Sequence, residues 1–422
     1  MWINAEWESL KEVIMHRPGP EIEYAMLAPK PFLFERPFRS REALLEHEGL
    51  ENTLRNNGIK VSILKDMVLD TADSNQDFRK ILEEKVSNTV RFYGTVETTA
   101  MMKEELAKNL NILDSSTLFN TMILEPSIDI KKINESDPGY PTIYSNLPLA
   151  NLYFMRDQQA VSHNGIMIGN MKMSQRTRET ELTDFIFSNK FGKENTRRIS
   201  GNSKFEGGDY IPMGKFGLIG TGPRTNIEGA KDFIRSGISE HDEILVVENP
   251  LYDFQEKQIR GSMVNMHLDT YFNVASDGVA IASVRLSKLA KGRVFSRLSK
   301  NEYEATSETT LYKFLQEKGF EFMDLSVSEQ ISYSSNFLTL GNGKILCIDS
   351  ELVLNKLINN SFLEIGIEDV IKNEIAKQEK EKPFPNAAKM ASFNIDYITV
   401  DLCELTGGYG GAHCMTASIK RG

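Results

Sequence analysis

Cysteine is scarce in this chain, with three residues, Cys347, Cys403 and Cys414, among 422. So few cannot build a disulfide framework, and none forms the paired C-x-x-C spacing of a structural zinc site, so a reducing cytoplasm is the expected setting. Positive charge is in deficit as well: 49 Lys and Arg face 59 Asp and Glu, a formal net charge of −10. That field repels phosphate backbones and anionic lipid, which excludes nucleic acid and membrane surfaces as expected partners and favours a small cation. Long apolar runs are missing too. No stretch is apolar for long enough to cross a bilayer, and the opening Met1-Trp2-Ile3-Asn4-Ala5-Glu6 has no basic or apolar leader region, so the chain reads as soluble and unexported.

What is present is ordinary globular composition, 40% hydrophobic and 26% charged, with 29 Gly and 14 Pro. Single cores stop growing at roughly 250–300 residues, so this length implies either one repeat-built body or two to three domains. A degenerate repeat favours the first: two short strands about a Gly, Asp or Asn turn, then a helical stretch. One copy runs from Asn151 to Gly169 and turns at Asn164-Gly165; the next runs from Phe205 to Gly220. A third, Asp269 to Ala282, turns at Asp277-Gly278, and a fourth, Ser335 to Ile348, turns at Asn342-Gly343. Asn-Gly and Asp-Gly between apolar runs are strong hairpin signals. Leu10 to Pro18, the helical Arg41 to Asn57 and the strand Lys60 to Lys65 form a fifth unit. Its hairpin partner is expected from the C-terminus, out of Ile398 to Leu405 and Ala412 to Thr416. Five such units predict a closed, pseudo-symmetric α/β body with strands around a central axis.

Residues 70–138 break the pattern: Phe78 to Val86, Met101 to Leu110 and Leu118 to Ile128 have helical spacing, so this segment reads as a helical insertion. Asp137-Pro138-Gly139-Tyr140-Pro141 is the expected return linker. The organisation is therefore 1–69, the first part of the α/β body; 70–138, the insertion; and 139–422, the remainder. The charged stretches Lys288 to Lys300 and Lys372 to Lys382 read as a helix face and a helix end with its loop, both solvated.

Polar residues recur at the strand entrances of the units: Asp157, Glu206 with Asp209, His267 with Asp269, Asn336 and Cys414. In a ring these places converge on the axis, so residues distant in sequence meet in one pocket. His267 and Asp269 share a face if extended, whereas His413 and Cys414 point apart, which makes His267 the expected partner of the thiol and His413 a satisfied structural histidine. Cys347 and Cys403, set in apolar strands, read as small buried hydrophobes. Cys414 follows Thr406-Gly407-Gly408-Tyr409-Gly410-Gly411-Ala412-His413, whose glycines let the chain approach a ligand closely. Carboxylates beside a thiol raise its pKa, but one positive charge about 4 Å away at an effective dielectric near 20 is worth about 4 kcal/mol and reverses this. The pattern therefore asks for a cationic substrate that activates the thiol, and a planar guanidinium suits paired carboxylates.

At these residues the sequence resembles the arginine deiminases of the guanidino-group-modifying, or pentein, superfamily. The resemblance rests on Leu10 to Pro18, Glu46-His47-Glu48-Gly49-Leu50, Phe154-Met155-Arg156-Asp157, Arg176 to Thr180, Phe205 to Asp209, Gly222-Pro223-Arg224-Thr225, His267 to Thr270 and His413 to Thr416, and extends over nearly the whole chain, insertion included. It implies a five-fold pseudo-symmetric α/β-propeller with an inserted helical domain. It also implies Cys414 as nucleophile, His267 as general acid and base, and Asp157, Glu206 and Asp269 around the guanidinium with Phe154 beside it. Arg176 and Arg224 fall where the family holds the substrate α-carboxylate, and Asn336 falls nearby. Two places depart from the pattern: Tyr409 stands where many members have an arginine, and Leu33-Phe34-Glu35-Arg36 replaces Leu-Phe-Asp-Asp. The implied activity is hydrolysis of a guanidino substrate, with arginine giving citrulline and ammonia through a Cys-bound thiouronium. No metal or cofactor is expected, and a homo-oligomer is left open. An amidinotransferase using an amine acceptor, a variant releasing ornithine, and a non-catalytic guanidino binder are the competing readings.

Overall fold

The computed structural model describes residues 2–132, 139–250, 265–360, 367–377 and 382–422. Among these, five sheets share one topology: an antiparallel hairpin whose second strand then pairs in parallel with a strand arriving after a helix. The second unit is Gln159–Ser162, Gly165–Ile168, the helix Thr177–Phe191 and Thr196–Arg198. The third is Tyr210–Met213, Phe216–Thr221, the helix Ile227–Arg235 and Glu243–Glu248. The fourth pairs Phe272–Ser276 with Val279–Ala282 and Glu321–Asp324; the fifth pairs Leu338–Gly341 with Lys344–Ile348 and Asp396–Val400. Hairpin turns fall at the Asx-Gly pairs, with Gly165, Gly278 and Gly343 at positive φ, where a side chain would be strained.

The first unit draws on both ends of the sequence. Leu10–Met15 pairs in parallel with Lys60–Ile63 and antiparallel with Ala417–Arg421. The C-terminus thus supplies the hairpin partner, but from a later segment than expected. Asp396–Val400 instead pairs with Lys344–Ile348, because the fifth unit needs a parallel strand after its own helix Ser350–Asn359. One apolar cluster takes Val13, Phe154, Leu218, Val274, Leu346 and Met415 from all five units.

Within 70–138 lie the helices Gln76–Thr89, Val96–Asn109 and Ser115–Leu124. The last stops short of Ile128: Glu125 turns left-handed at φ 47, and Pro126 cannot continue a helix, so Pro126–Lys131 becomes a strand between Arg91–Tyr93 and Tyr140–Ser145. Residues 137 and 138 of the expected linker lie outside the described residues. The basic stretch after Lys288 is another correction. Only Lys288 and Leu289 are helical, and Lys291–Ser299 forms a hairpin with Glu302–Thr310 that extends the third sheet. Its arginines alternate outward to meet acids, Arg293 on Glu308 at 2.7 Å and Arg297 on Asp242 at 2.9 Å. The helix Ile367–Lys377 covers the start of the other charged stretch, whose residues 378–381 lie outside the described ones.

Candidate active site

In every unit a singled-out polar residue sits just before the first strand of the hairpin. Asp157 precedes Gln159–Ser162, Glu206 precedes Tyr210–Met213, Asp269 precedes Phe272–Ser276, Asn336 precedes Leu338–Gly341 and Cys414 precedes Ala417–Arg421. These side chains are buried and near one another. A pocket is lined by the apolar or aromatic side chains of Phe154, Met266, Leu33 and Tyr409 and by Asp157, His267, Arg176, Arg224 and Cys414.

Cys414 Sγ accepts a hydrogen bond from Asn336 Nδ2 at 3.1 Å and faces Asp269 Oδ2 at 3.5 Å. Burial first, then the charges of Asp269 and Asp157, push the thiol well above its ordinary range, opposed by the Asn336 bond. Asn336 also organises the loop, its Oδ1 accepting from the Gly411 and Cys414 backbone N–H at 2.8 and 3.0 Å. Glycine is required where that loop meets Phe154: a Cβ on Gly410 would lie 2.7 Å from Phe154 Cε1 and 2.9 Å from Cys414 Cβ.

His267 Nε2 is 2.8 Å from Glu206 Oε2, and its Nδ1 lies 3.8 Å from Asp157 Oδ1. Burial pulls the imidazole down, but Asp157 and then Glu206 outweigh it and raise it to about 9. Glu206 is itself held down to about 2 against burial, by Arg224 first and by His267. Its other oxygen accepts the Lys172 N–H at 3.0 Å, so both oxygens are engaged. His267 and Asp269 do not share a strand. Leu268–Thr270 is a 3-10 turn anchored by the Leu268 N–H on Asp209 Oδ1 at 3.0 Å, and the two side chains go to different partners.

Asp157 and Asp269 are engaged alike. Arg176 Nη1 donates to Asp157 Oδ2 at 2.6 Å, and His413 Nδ1 meets Asp269 Oδ2 at 2.8 Å. In each carboxylate the remaining Oδ1 is buried without a hydrogen-bond partner. Arg176 is buried, its far edge fixed on Glu179 at 2.8–3.1 Å, and Arg224 is buried at the pocket wall. The residue that sequence reasoning set aside is His413. Treating 413–414 as extended sent its ring away from Cys414, but the segment is coiled, with Met415 N–H on Gly411 O and Thr416 N–H on His413 O, so both side chains reach Asp269. Its adjacency to Cys414 was the available signal. Tyr409 keeps a left-handed φ of 70. Arg36 is buried and binds Cys403 O at 2.7 Å and Thr406 Oγ1 at 2.9 Å, tying the altered 33–36 segment to the glycine-rich loop. Asp157, Glu206 and His267 offer ligand atoms within 4.8 Å of one another, the one such group of His, Cys, Asp and Glu side chains among the described residues.

The repeated hairpin-helix-strand unit and its insertion define an α/β fold of the guanidino-group-modifying superfamily, shared with dimethylarginine dimethylaminohydrolase from Pseudomonas aeruginosa solved with citrulline (TM-score 0.50, 14% identity, 97% of this chain and 98% of that one). The N-terminal domain of a cyanobacterial arginine dihydrolase matches similarly (TM-score 0.50, 11% identity, 97% of each chain). The arginine deiminase family model matches residues 30–421, and the chain belongs to that family, as an arginine-deiminase-like hydrolase acting on C–N bonds. Its relatives include the arginine deiminases of Halobacterium salinarum, 24% identical over 99% of this chain and 96% of that protein, and of Oenococcus oeni, 25% identical over 89% and 93%. No helix among the described residues is long and apolar enough to cross a membrane.

Proposed function

We propose that the protein hydrolyses the guanidino group of L-arginine to citrulline and ammonia through a thiouronium on Cys414. The observation that carries this reading is the pair of buried, unpartnered oxygens, Asp157 Oδ1 and Asp269 Oδ1, in the neighbourhood of one thiol. Two orphaned carboxylate oxygens are costly unless a cation completes them, and a planar guanidinium offers paired N–H groups. Its charge also lowers the thiol pKa that the carboxylates raise, so substrate binding generates the nucleophile and releases the thiol proton to solvent. The five units close into a five-fold α/β-propeller with residues 70–138 as the insertion, a reading favoured by the sheet that joins Leu10–Met15 to Ala417–Arg421.

In the first half-reaction Cys414 Sγ bonds to the guanidinium carbon and His267, protonated at neutral pH, gives its proton to the nitrogen that leaves as ammonia. In the second, neutral His267 takes a proton from water as its oxygen attacks the thiouronium carbon. The C–S bond then breaks as the remaining hydroxyl proton passes to sulfur, and the neutral ureido product and the Cys414 thiol separate. Glu206 holds His267 in place. Arg224 and Arg176 line the pocket where a substrate carboxylate would lie, and Phe154 packs beside the guanidinium.

The test incubates wild type and Cys414→Ser, with a chelator present, with arginine and other guanidino compounds, and follows ureido product and ammonia. Expected are one ammonia per ureido product from wild type and none from the variant. Turnover by the serine variant would refute the covalent route. A new guanidino product on adding glycine or lysine would show amidino transfer, two ammonias with ornithine would show the other hydrolysis, and calorimetric binding without turnover would show a binding protein.

A further inference from the structure

The matched engagement of Asp157 and Asp269 assigns a task to the histidine beside the nucleophile. We propose that His413 is a positioning residue that selects which oxygen of Asp269 meets the substrate, as Arg176 does for Asp157; this rests on the cation-binding reading above. The ring is fully buried, with Nδ1 2.8 Å from Asp269 Oδ2. An ionised carboxylate only accepts, so Nδ1 carries a proton.

The other ring nitrogen faces a buried ion network. His413 Nε2 stands 3.5 Å from Glu6 Oε1, and Glu6 is gripped by Arg421 and lies 3.7 Å from Arg156 Nη2. The His413 backbone is pinned on both sides, its N–H on Asn336 O at 3.1 Å and its carbonyl accepting from Arg156 Nε at 3.4 Å. With this bond in place, Oδ2 is spent on His413 and Cys414, and Oδ1 alone remains for a cation. Against burial, which acts to raise it, the contact with His413 holds the Asp269 carboxyl below its usual range. Without it the carboxylate turns about its Cβ–Cγ bond, and both oxygens compete for the thiol.

His413→Asn and His413→Gln separate this role from simple space filling. The Asn amide nitrogen branches where Nδ1 does and can still donate to Asp269, whereas the longer Gln places its amide toward Glu6. The probes are 2-chloroacetamidine, a planar cation with an electrophilic carbon, and uncharged 2-chloroacetamide, both read as the rate of Cys414 alkylation, together with KM and kcat for arginine. For His413→Gln the amidinium rate is expected to fall about 10- to 100-fold while the amide rate holds, with KM rising by a similar factor and kcat changing little. His413→Asn is expected to stay within about threefold of wild type on every measure. Equal losses in both variants, or parallel losses with both probes, would overturn the assignment. So would a wild-type nitrogen NMR spectrum with the His413 proton on Nε2 alone, a readout that needs no variant to fold. If wild-type Cys414 reacts no faster with the amidinium than with the amide, the cation-binding reading itself fails. If wild type prefers the amidinium and His413→Gln keeps that preference, only the role of His413 falls.

Discussion

Arg176 bridges two buried carboxylates, reaching Asp157 through Nη1 at 2.6 Å and Glu179 through Nε and Nη2 at 2.8–3.1 Å. The side chain expected to hold a substrate carboxylate is therefore also the counter-ion of the buried Asp157. Breaking a buried ion network from one side leaves charges without compensation and costs about 3–5 kcal/mol. Arg176→Ala is expected to lose stability in that range by urea denaturation, and Arg176→Lys to recover only part of it, since a point charge cannot span both acids.

The elevated His267 sets a pH dependence whose sign can be worked out. The folded value of about 9 lies above the ordinary 6.5, so the folded chain binds this proton more tightly than the unfolded one. Its contribution to stability is complete below about pH 6.5 and is lost as pH rises through about 9. Melting temperatures taken across that window should fall more for wild type than for His267→Gln. If His267 is the general acid, kcat/KM should also decline above about pH 9.

Gly410 has no room for a side chain. Its Cβ would stand 2.9 Å from that of Cys414, so Gly410→Ala must displace Cys414 or Phe154. Displacements near 1 Å cost about 100-fold in rate, and kcat/KM should fall by about that factor while the far-UV circular dichroism spectrum is kept.

Asn336 donates to the thiol through Nδ2 while its Oδ1 holds the loop. Asn336→Asp keeps the acceptor but places a further negative charge near sulfur, adding to the upward push that burial and two aspartates already exert. Iodoacetamide should modify Cys414 at least about tenfold more slowly at pH 8, with the rate profile displaced to higher pH.

The repeat, its hairpin turns and the polar residues at strand entrances were legible because each is written in a few neighbouring residues: Asn164-Gly165 and Asn342-Gly343 turn a chain wherever they occur between apolar runs. Less was legible where a local pattern served two structures. The charged run after Lys288 carried too little apolar periodicity to separate a helix face from a hairpin, and pairing with Glu302–Thr310 decided it. Strand partners across the whole length were likewise beyond local reading, so Ala417–Arg421 rather than the preceding segments completes the first sheet.

By itself, then, the sequence determined the unit, its multiplicity and the chemical inventory of the pocket, since these follow from short-range periodicity and residue type. Tertiary structure decided who holds whom: Arg176 on Asp157, Glu206 on His267, and His413 on Asp269 rather than turned away from it. The physical reason is that a buried polar atom takes whichever partner the packed backbone brings within about 3 Å, and that choice is made between segments up to hundreds of residues apart.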